Sequence, residues 1–101
     1  TLIDYAATKA AIRNLTKSLS KDLASKGIRV NSVAPGPVWT PLNPAERDYQ
    51  EIKNFGKGTS FSRPAQPSEI APAFVFLASE ITGSFITGET INIFGDASGA
   101  N

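Results

Sequence analysis

The 101-residue chain carries ten Lys or Arg against nine Asp or Glu, a formal net charge of +1, with 41% apolar and 19% charged residues. That balance suits a single globular core, and charges of both signs spread along the sequence leave no basic face for nucleic acid or anionic lipid. Without Cys or His there is no disulfide framework, thiolate nucleophile, histidine base or ordinary zinc site, so no metal is expected and acid-base chemistry falls to Tyr, Lys, Asp or Glu.

No apolar run approaches the roughly 18 residues that span a bilayer, and the N-terminus lacks the pattern of a signal peptide, so no membrane partner and a cytoplasmic setting are expected. The chain opens on Thr1-Leu2-Ile3-Asp4 and contains no Met. A fragment of a longer protein is therefore expected.

In chain order, Asp4 to about Ser25 reads as an amphipathic helix, with Ala11, Ile12, Leu15, Leu19 and Leu23 along one stripe. Asp4 is expected to cap its start and Gly27 to provide a left-handed residue at its end. Ile28 to Ala34 is a β-branched run between Gly27 and Pro35-Gly36-Pro37 and reads as a strand. Pro37, Pro41 and Pro44 then impose a loop from Pro35 to about Pro44. Ala45 to Phe55 can hold a short helix with Tyr49, Ile52 and Phe55 inward, and Gly56 to Gln66 returns to loop composition. A long excursion of this kind usually has a function.

Pro67-Ser68-Glu69 announces a second helix carrying Ile70, Ala73, Phe74, Leu77 and Ala78 at helical spacing, with Ser68 or Gln66 at its cap and Pro72 inside its first turns. Thr90 to Phe94 alternates as a last strand. The order helix, strand, long loop, helix, strand predicts an α/β fold with two neighbouring parallel strands. Parallel sheets need further strands and helices on both faces, which predicts missing structure upstream.

Two motifs bear on chemistry. Tyr5 and Lys9 lie four apart, on one face of the first helix, and a cation within about 4–6 Å of a phenol favours its phenolate. Taken alone, the spacing is more often that of a surface tyrosine beside a lysine stem. Pro35-Gly36-Pro37-Val38-Trp39-Thr40 follows the first strand at its carboxyl end, where open α/β sheets bind ligands. Gly36 permits close backbone approach and Thr40 offers a hydroxyl, although a plain Pro/Gly exit turn would read the same way.

Joined in order, Tyr-x-x-x-Lys, the helix ending Lys26-Gly27-Ile28-Arg29-Val30-Asn31, and Pro35-Gly36 closely resemble the short-chain dehydrogenase/reductase family. The resemblance runs on through Arg63 to Ala71, Phe76-Leu77-Ala78-Ser79, and Ile86-Thr87-Gly88-Glu89-Thr90-Ile91-Asn92-Ile93. Pro37 to Leu42 and Asn54-Phe55-Gly56-Lys57 look most like glucose and ribitol dehydrogenases.

This resemblance implies that residues 1–101 form the C-terminal part of one Rossmann-type, doubly wound parallel sheet that binds NAD or NADP. It implies Tyr5 as general acid/base toward an alcohol or carbonyl substrate, and Lys9 both easing proton loss from the tyrosine and binding the nicotinamide ribose. It also implies Pro35 and Gly36 beside the nicotinamide, the backbone of Val38 at its carboxamide, and Thr40 at the carboxamide or phosphates. The family's Gly-rich loop, its selector between NAD and NADP, and its catalytic serine all precede the tyrosine, so the isolated chain is expected to be inactive. Ser18 and Ser20, downstream on the helix, do not replace that serine. The final Phe94-Gly95-Asp96 stands where the family often has paired glycines.

Full-length members are expected to be homo-oligomers, dimers or tetramers. The alternative function is a non-enzymatic binding or assembly module. Trp39 reads as a packing anchor more readily than a substrate contact. Phe74, Phe76 and Phe85 read as core or subunit interface, Arg63 and Glu69 as a pair across a helix start, and Lys17, Lys21 and Lys26 as a solvated face.

Overall fold

The structure, a computed structural model, describes residues 3–41 and 48–96. Its elements are helix α1 (Ile3–Ala24), strand β1 (Ser32–Pro35), helix α2 (Tyr49–Asn54), helix α3 (Pro67–Ala78), the one-turn helix α4 (Glu80–Gly83) and strand β2 (Thr90–Ile93). β1 and β2 pair as a two-stranded parallel sheet, so the α/β order read from the sequence is the one found. The expected helix start at Ala45, Pro44 and Leu42 lie outside the described residues.

Two compact units divide the chain, the first comprising Thr1–Val33 and Phe76–Ile91 and the second Ala34–Val75 and Asn92–Asn101. In the first unit α1 ends as its composition predicts. Gly27 takes a positive φ of 72°, and Ile28 N–H reaches the Leu23 carbonyl at 3.2 Å while Gly27 N–H reaches that of Ala24 at 3.0 Å. These two bonds satisfy carbonyls that a terminating helix otherwise leaves open, and glycine adopts the left-handed turn at least cost. The start differs from expectation. Asp4 lies inside the first turn rather than at the cap, where its carboxylate favours the positive end of the helix dipole.

The apolar stripe of α1 is not the buried one. Ile12, Leu15 and Leu19 are 51%, 55% and 37% exposed, whereas Thr16 and Ser20 are buried. A Cβ on Gly88 would come within 2.7 Å of Ser20 Oγ, so this face of the helix is tight and small side chains suit it. Burial leaves neither hydroxyl unsatisfied, since Thr16 donates to the Ile12 carbonyl at 2.9 Å and Ser20 to that of Lys17 at 2.7 Å. Lys17, Lys21 and Lys26 are exposed as expected.

The ladder begins later than Ile28. Between Val30 and Ser32 the chain is held to residues 86–89 partly through side chains: Val30 N–H donates to Thr87 Oγ1, and the Asn31 amide donates to the Ile86 carbonyl and accepts from Glu89 N–H. Ser32 N–H then bonds to the Glu89 carbonyl at 2.9 Å and regular pairing follows. Propensity favoured a strand from Ile28, but the partner segment is a turn at Gly88 (φ 74°), so no ladder can form there.

Arg29 closes the end of α3 within the same unit. Its guanidinium donates to the carbonyls of Leu77 at 2.6 Å, Ala78 at 3.1 Å and Ile86 at 3.3 Å, which neutralises the negative end of the helix. Replacing Arg29 by Met should lower stability by about 1.5–3 kcal/mol, the scale of hydrogen bonds from a charged donor, read as a lower urea midpoint. Lysine should restore only part of it, because one ammonium lacks the guanidinium fork.

In the second unit, Asp48 caps α2 by accepting from Glu51 N–H at 2.9 Å. Ile52 and Phe55 are half-buried as expected, but Tyr49 is 73% exposed and does not turn inward. The Trp39 and Phe55 rings pack with centroids 6.1 Å apart at 49°, which accounts for Trp39 as an anchor. Gln66, not Ser68, precedes α3; Pro67 is its first residue and Pro72 lies within it. Among the described residues the buried hydrophobics are Ile70 and Leu77, while Phe74, Phe76 and Phe85 are 57%, 44% and 101% exposed and so are not core.

Candidate active site

The residues singled out by the sequence fall into two groups, each within one unit. On α1, Tyr5 and Lys9 are both exposed, Tyr5 at 58%. Lys9 Nζ lies 5.2 Å from the centroid of the Tyr5 ring, within reach of the attraction between a cation and an aromatic face. The helix brings them together by its own period. The intervening Thr8 hydroxyl is engaged by its own helix, donating to the Tyr5 carbonyl at 2.7 Å.

The second group follows β1. Pro35 is the exposed last residue of the strand. Gly36 N–H bonds to the Ile93 carbonyl at 2.8 Å, and a Cβ at Gly36 would lie 2.9 Å from the Phe94 carbonyl oxygen and 3.0 Å from Phe94 Cα. The close approach that glycine permits is therefore to the main chain just beyond β2. Val38 forms a parallel bridge with Ala65, and Thr40 is half-buried. Beside them, at the carboxyl ends of both strands, lies a cavity of about 370 Å³ bordered by Gly36, Pro37, Gly56, Thr59, Phe94 and Asp96. Such a crevice is where open α/β sheets take ligands.

Sequence reasoning missed Ala65. Its N–H donates to the Pro37 carbonyl at 2.8 Å and its carbonyl accepts from Trp39 N–H at 2.9 Å, gripping the residues on either side of Val38. Alanine carries no chemical signal; the only hint lay in its place between Arg63 and Glu69. These two pair as expected, in bidentate fashion, at 2.8 and 3.0 Å.

The hydrogen bond from Arg63, with a second from Gln66 N–H, lowers the Glu69 carboxyl from 4.5 to about 2, and the same pairing pushes the Arg63 guanidinium upward. A depressed carboxylate stabilises the fold while ionised, so its contribution should be complete above about pH 4.5 and should fade as the pH falls towards about 2. Protection of the Gln66 amide, taken relative to its intrinsic exchange rate at each pH, should fall across that window in the native protein, and Glu69→Gln should flatten the dependence.

The chain is similar to relatives of known sequence and structure over nearly its whole length. Residues 2–95 match the family described as enoyl-(acyl carrier protein) reductase. The chain is 51% identical over 96 residues to NADPH-dependent aldehyde reductase 1, chloroplastic, of Arabidopsis thaliana, and 53% identical over 96 residues to glucose and ribitol dehydrogenase of Daucus carota; each match covers 95% of this chain and 33% of the relative. A crystal structure of 3-oxoacyl-[acyl-carrier protein] reductase from Brucella melitensis superposes with a TM-score of 0.79 at 38% identity, covering 92% of this chain and 34% of that one. The chain thus spans about a third of the length of the relatives it matches. With Tyr5 and Lys9 on one helical face, the crevice at the strand ends and the match over residues 2–95, the chain belongs to the short-chain dehydrogenase/reductase family.

Proposed function

We propose that this chain supplies the acid-base pair and the nicotinamide loop of an NAD(P)-dependent dehydrogenase/reductase that interconverts an alcohol and a carbonyl compound. The observation that carries the reading is the juxtaposition of Tyr5 and Lys9 on an exposed helical face, with Lys9 Nζ 5.2 Å from the centre of the Tyr5 ring. The donor set suits the cofactor: an ammonium, a phenol, the Thr40 hydroxyl and main-chain groups at a strand's carboxyl end can hydrogen-bond the hydroxyls and carboxamide of a nicotinamide nucleoside.

When bound, the nicotinamide supplies or accepts the hydride that moves at the substrate carbon. Tyr5 handles the proton. In carbonyl reduction its phenol donates a proton to the substrate oxygen as the carbon gains hydride, leaving a phenolate; in alcohol oxidation the phenolate takes the proton back. Lys9 holds the ribose hydroxyls and stabilises the charge left on the tyrosine oxygen. Pro35, Gly36, Val38 and Thr40 would hold the nicotinamide, with the Val38 backbone and the Thr40 hydroxyl available to hydrogen-bond its polar groups.

The chain spans about a third of the length of its relatives, and the isolated 101 residues should be inactive. The full-length protein should oxidise NADPH or NADH in the presence of an aldehyde or sugar substrate, followed by loss of nicotinamide fluorescence. Robust turnover by the isolated chain would refute its assignment as half of a site, and failure of the full-length protein to bind either nucleotide would refute the enzyme reading.

The exposed stripe Ile12, Leu15 and Leu19 favours a second role in assembly, as homo-oligomeric dimers or tetramers of the full-length protein. Charged replacements along it should dissociate the oligomer in sedimentation. If the upstream coding sequence lacks a Gly-rich loop and begins with a start codon at this chain, a non-enzymatic assembly module becomes the better reading.

A further inference from the structure

We propose that the Arg63–Glu69 ion pair is a positioning clasp for the nicotinamide loop, acting through Ala65 on the backbone either side of Val38. The inference rests on the proposed role of the Pro35–Thr40 loop. It concerns residues that do not border the cavity at Gly36 and Phe94.

The connections run without a gap. Arg63 Nη1 donates to the Pro64 carbonyl at 3.1 Å, and Glu69 Oε1 accepts from Gln66 N–H at 2.9 Å. The two partners of the ion pair thus hold the residues immediately before and after Ala65. Ala65 in turn holds Pro37 and Trp39 at 2.8 and 2.9 Å, the residues immediately before and after Val38. An ion pair outside the cavity in this way fixes the one stretch of backbone assigned to the carboxamide.

The base of the clasp is itself held. The Thr59 hydroxyl accepts from Arg63 N–H at 3.2 Å and donates to the Arg63 carbonyl at 2.7 Å. Ser62, just before Arg63, has a φ of 58°, a left-handed conformation that persists in a non-glycine residue only where its surroundings over-determine it. An isolated exposed ion pair needs none of this support. A pair that serves only as the N-terminal cap of α3 would require Glu69 and Gln66, but not the bond from Arg63 to Pro64 or the bridge from Ala65 to the loop.

The test uses the full-length protein and its Arg63→Ala, Arg63→Lys, Glu69→Ala and Glu69→Gln variants, with NADPH and NADH titrated separately and amide exchange followed at Trp39 and Ala65. Arg63→Ala and Glu69→Ala should weaken nucleotide binding about 10- to 100-fold, the scale of a slightly misplaced binding group. They should also speed exchange at both amides, while exchange in the body of α3 stays unchanged. Glu69→Gln keeps an oxygen for Arg63 Nη1 and Gln66 N–H but loses the charge and the second acceptor for Arg63 Nη2, so it should fall between wild type and Glu69→Ala. Should Arg63→Ala fail to fold, Arg63→Lys keeps the charge and loses the fork, and should still speed exchange at Trp39.

Wild-type affinity and exchange in folded Arg63 variants would overturn the clasp, as would loss of protection confined to α3. If the wild-type protein binds neither nucleotide, it is the function of the loop that fails, and exchange at Trp39 and Ala65 still decides whether the clasp exists.

Discussion

Tyr5→Phe in the full-length protein should lower kcat by about 10²–10⁴-fold, the range that a positioned acid or base contributes, with the affinity for nucleotide essentially unchanged. The substitution removes one oxygen and leaves the ring. The ring is what Lys9 contacts at 5.2 Å, so the lysine keeps its neighbour and its place. Tyr5 is 58% exposed and supports no core, so the fold should not respond either. Stopped-flow or steady-state turnover set beside a nucleotide titration separates the two effects. Lys9→Met should behave differently, losing nucleotide affinity as well as turnover, because its ammonium is assigned to both the ribose and the tyrosine. A Tyr5→Phe enzyme with wild-type kcat would show that the proton moves elsewhere, whatever the fate of the hydride.

What could be read in advance depended on whether one residue carries its own constraint. Gly27 was legible because a helix end needs one left-handed residue and glycine takes it at least cost. Tyr5 and Lys9 were legible as neighbours because helical period alone puts them together. The stripe of Ile12, Leu15 and Leu19 was legible as apolar, but periodicity says nothing of which surface covers it. The buried face of α1 is set instead by the close approach of Gly88 to Ser20, a contact between residues far apart in sequence. The contacts that Arg29 and Ala65 make were not legible. Arg29 acts on carbonyls from Leu77 to Ile86, and Ala65 acts through its main chain, which any residue but proline could present. The first β-branched residue, Ile28, likewise suggested a strand that its partner segment does not allow to begin before Ser32.

Gly56→Ala should be the most damaging single-methyl change in the second unit, and it bears on the same loop. Gly56 sits at φ 77°, and an added Cβ would lie 2.3 Å from Pro64 N, 2.6 Å from Pro64 Cα and 2.7 Å from Pro64 Cβ. The left-handed conformation costs a non-glycine residue about 1–3 kcal/mol, and forcing a methyl group into a packed contact typically costs about 1–3 kcal/mol more. A flexible side chain could yield at such distances, but two of these three atoms are main chain. Moving Pro64 moves Ala65, and with it the bonds to Pro37 and Trp39. The variant should therefore lose about 2–6 kcal/mol in chemical denaturation and should show faster amide exchange at Trp39. Gly58→Ala is the matched control. It lies two residues away in the same loop, where an added Cβ would meet nothing within 4 Å and φ is not positive, so its stability should stay within about 0.5 kcal/mol of wild type. Equal effects at the two glycines would mean that loop entropy, rather than the contact with Pro64, governs this segment.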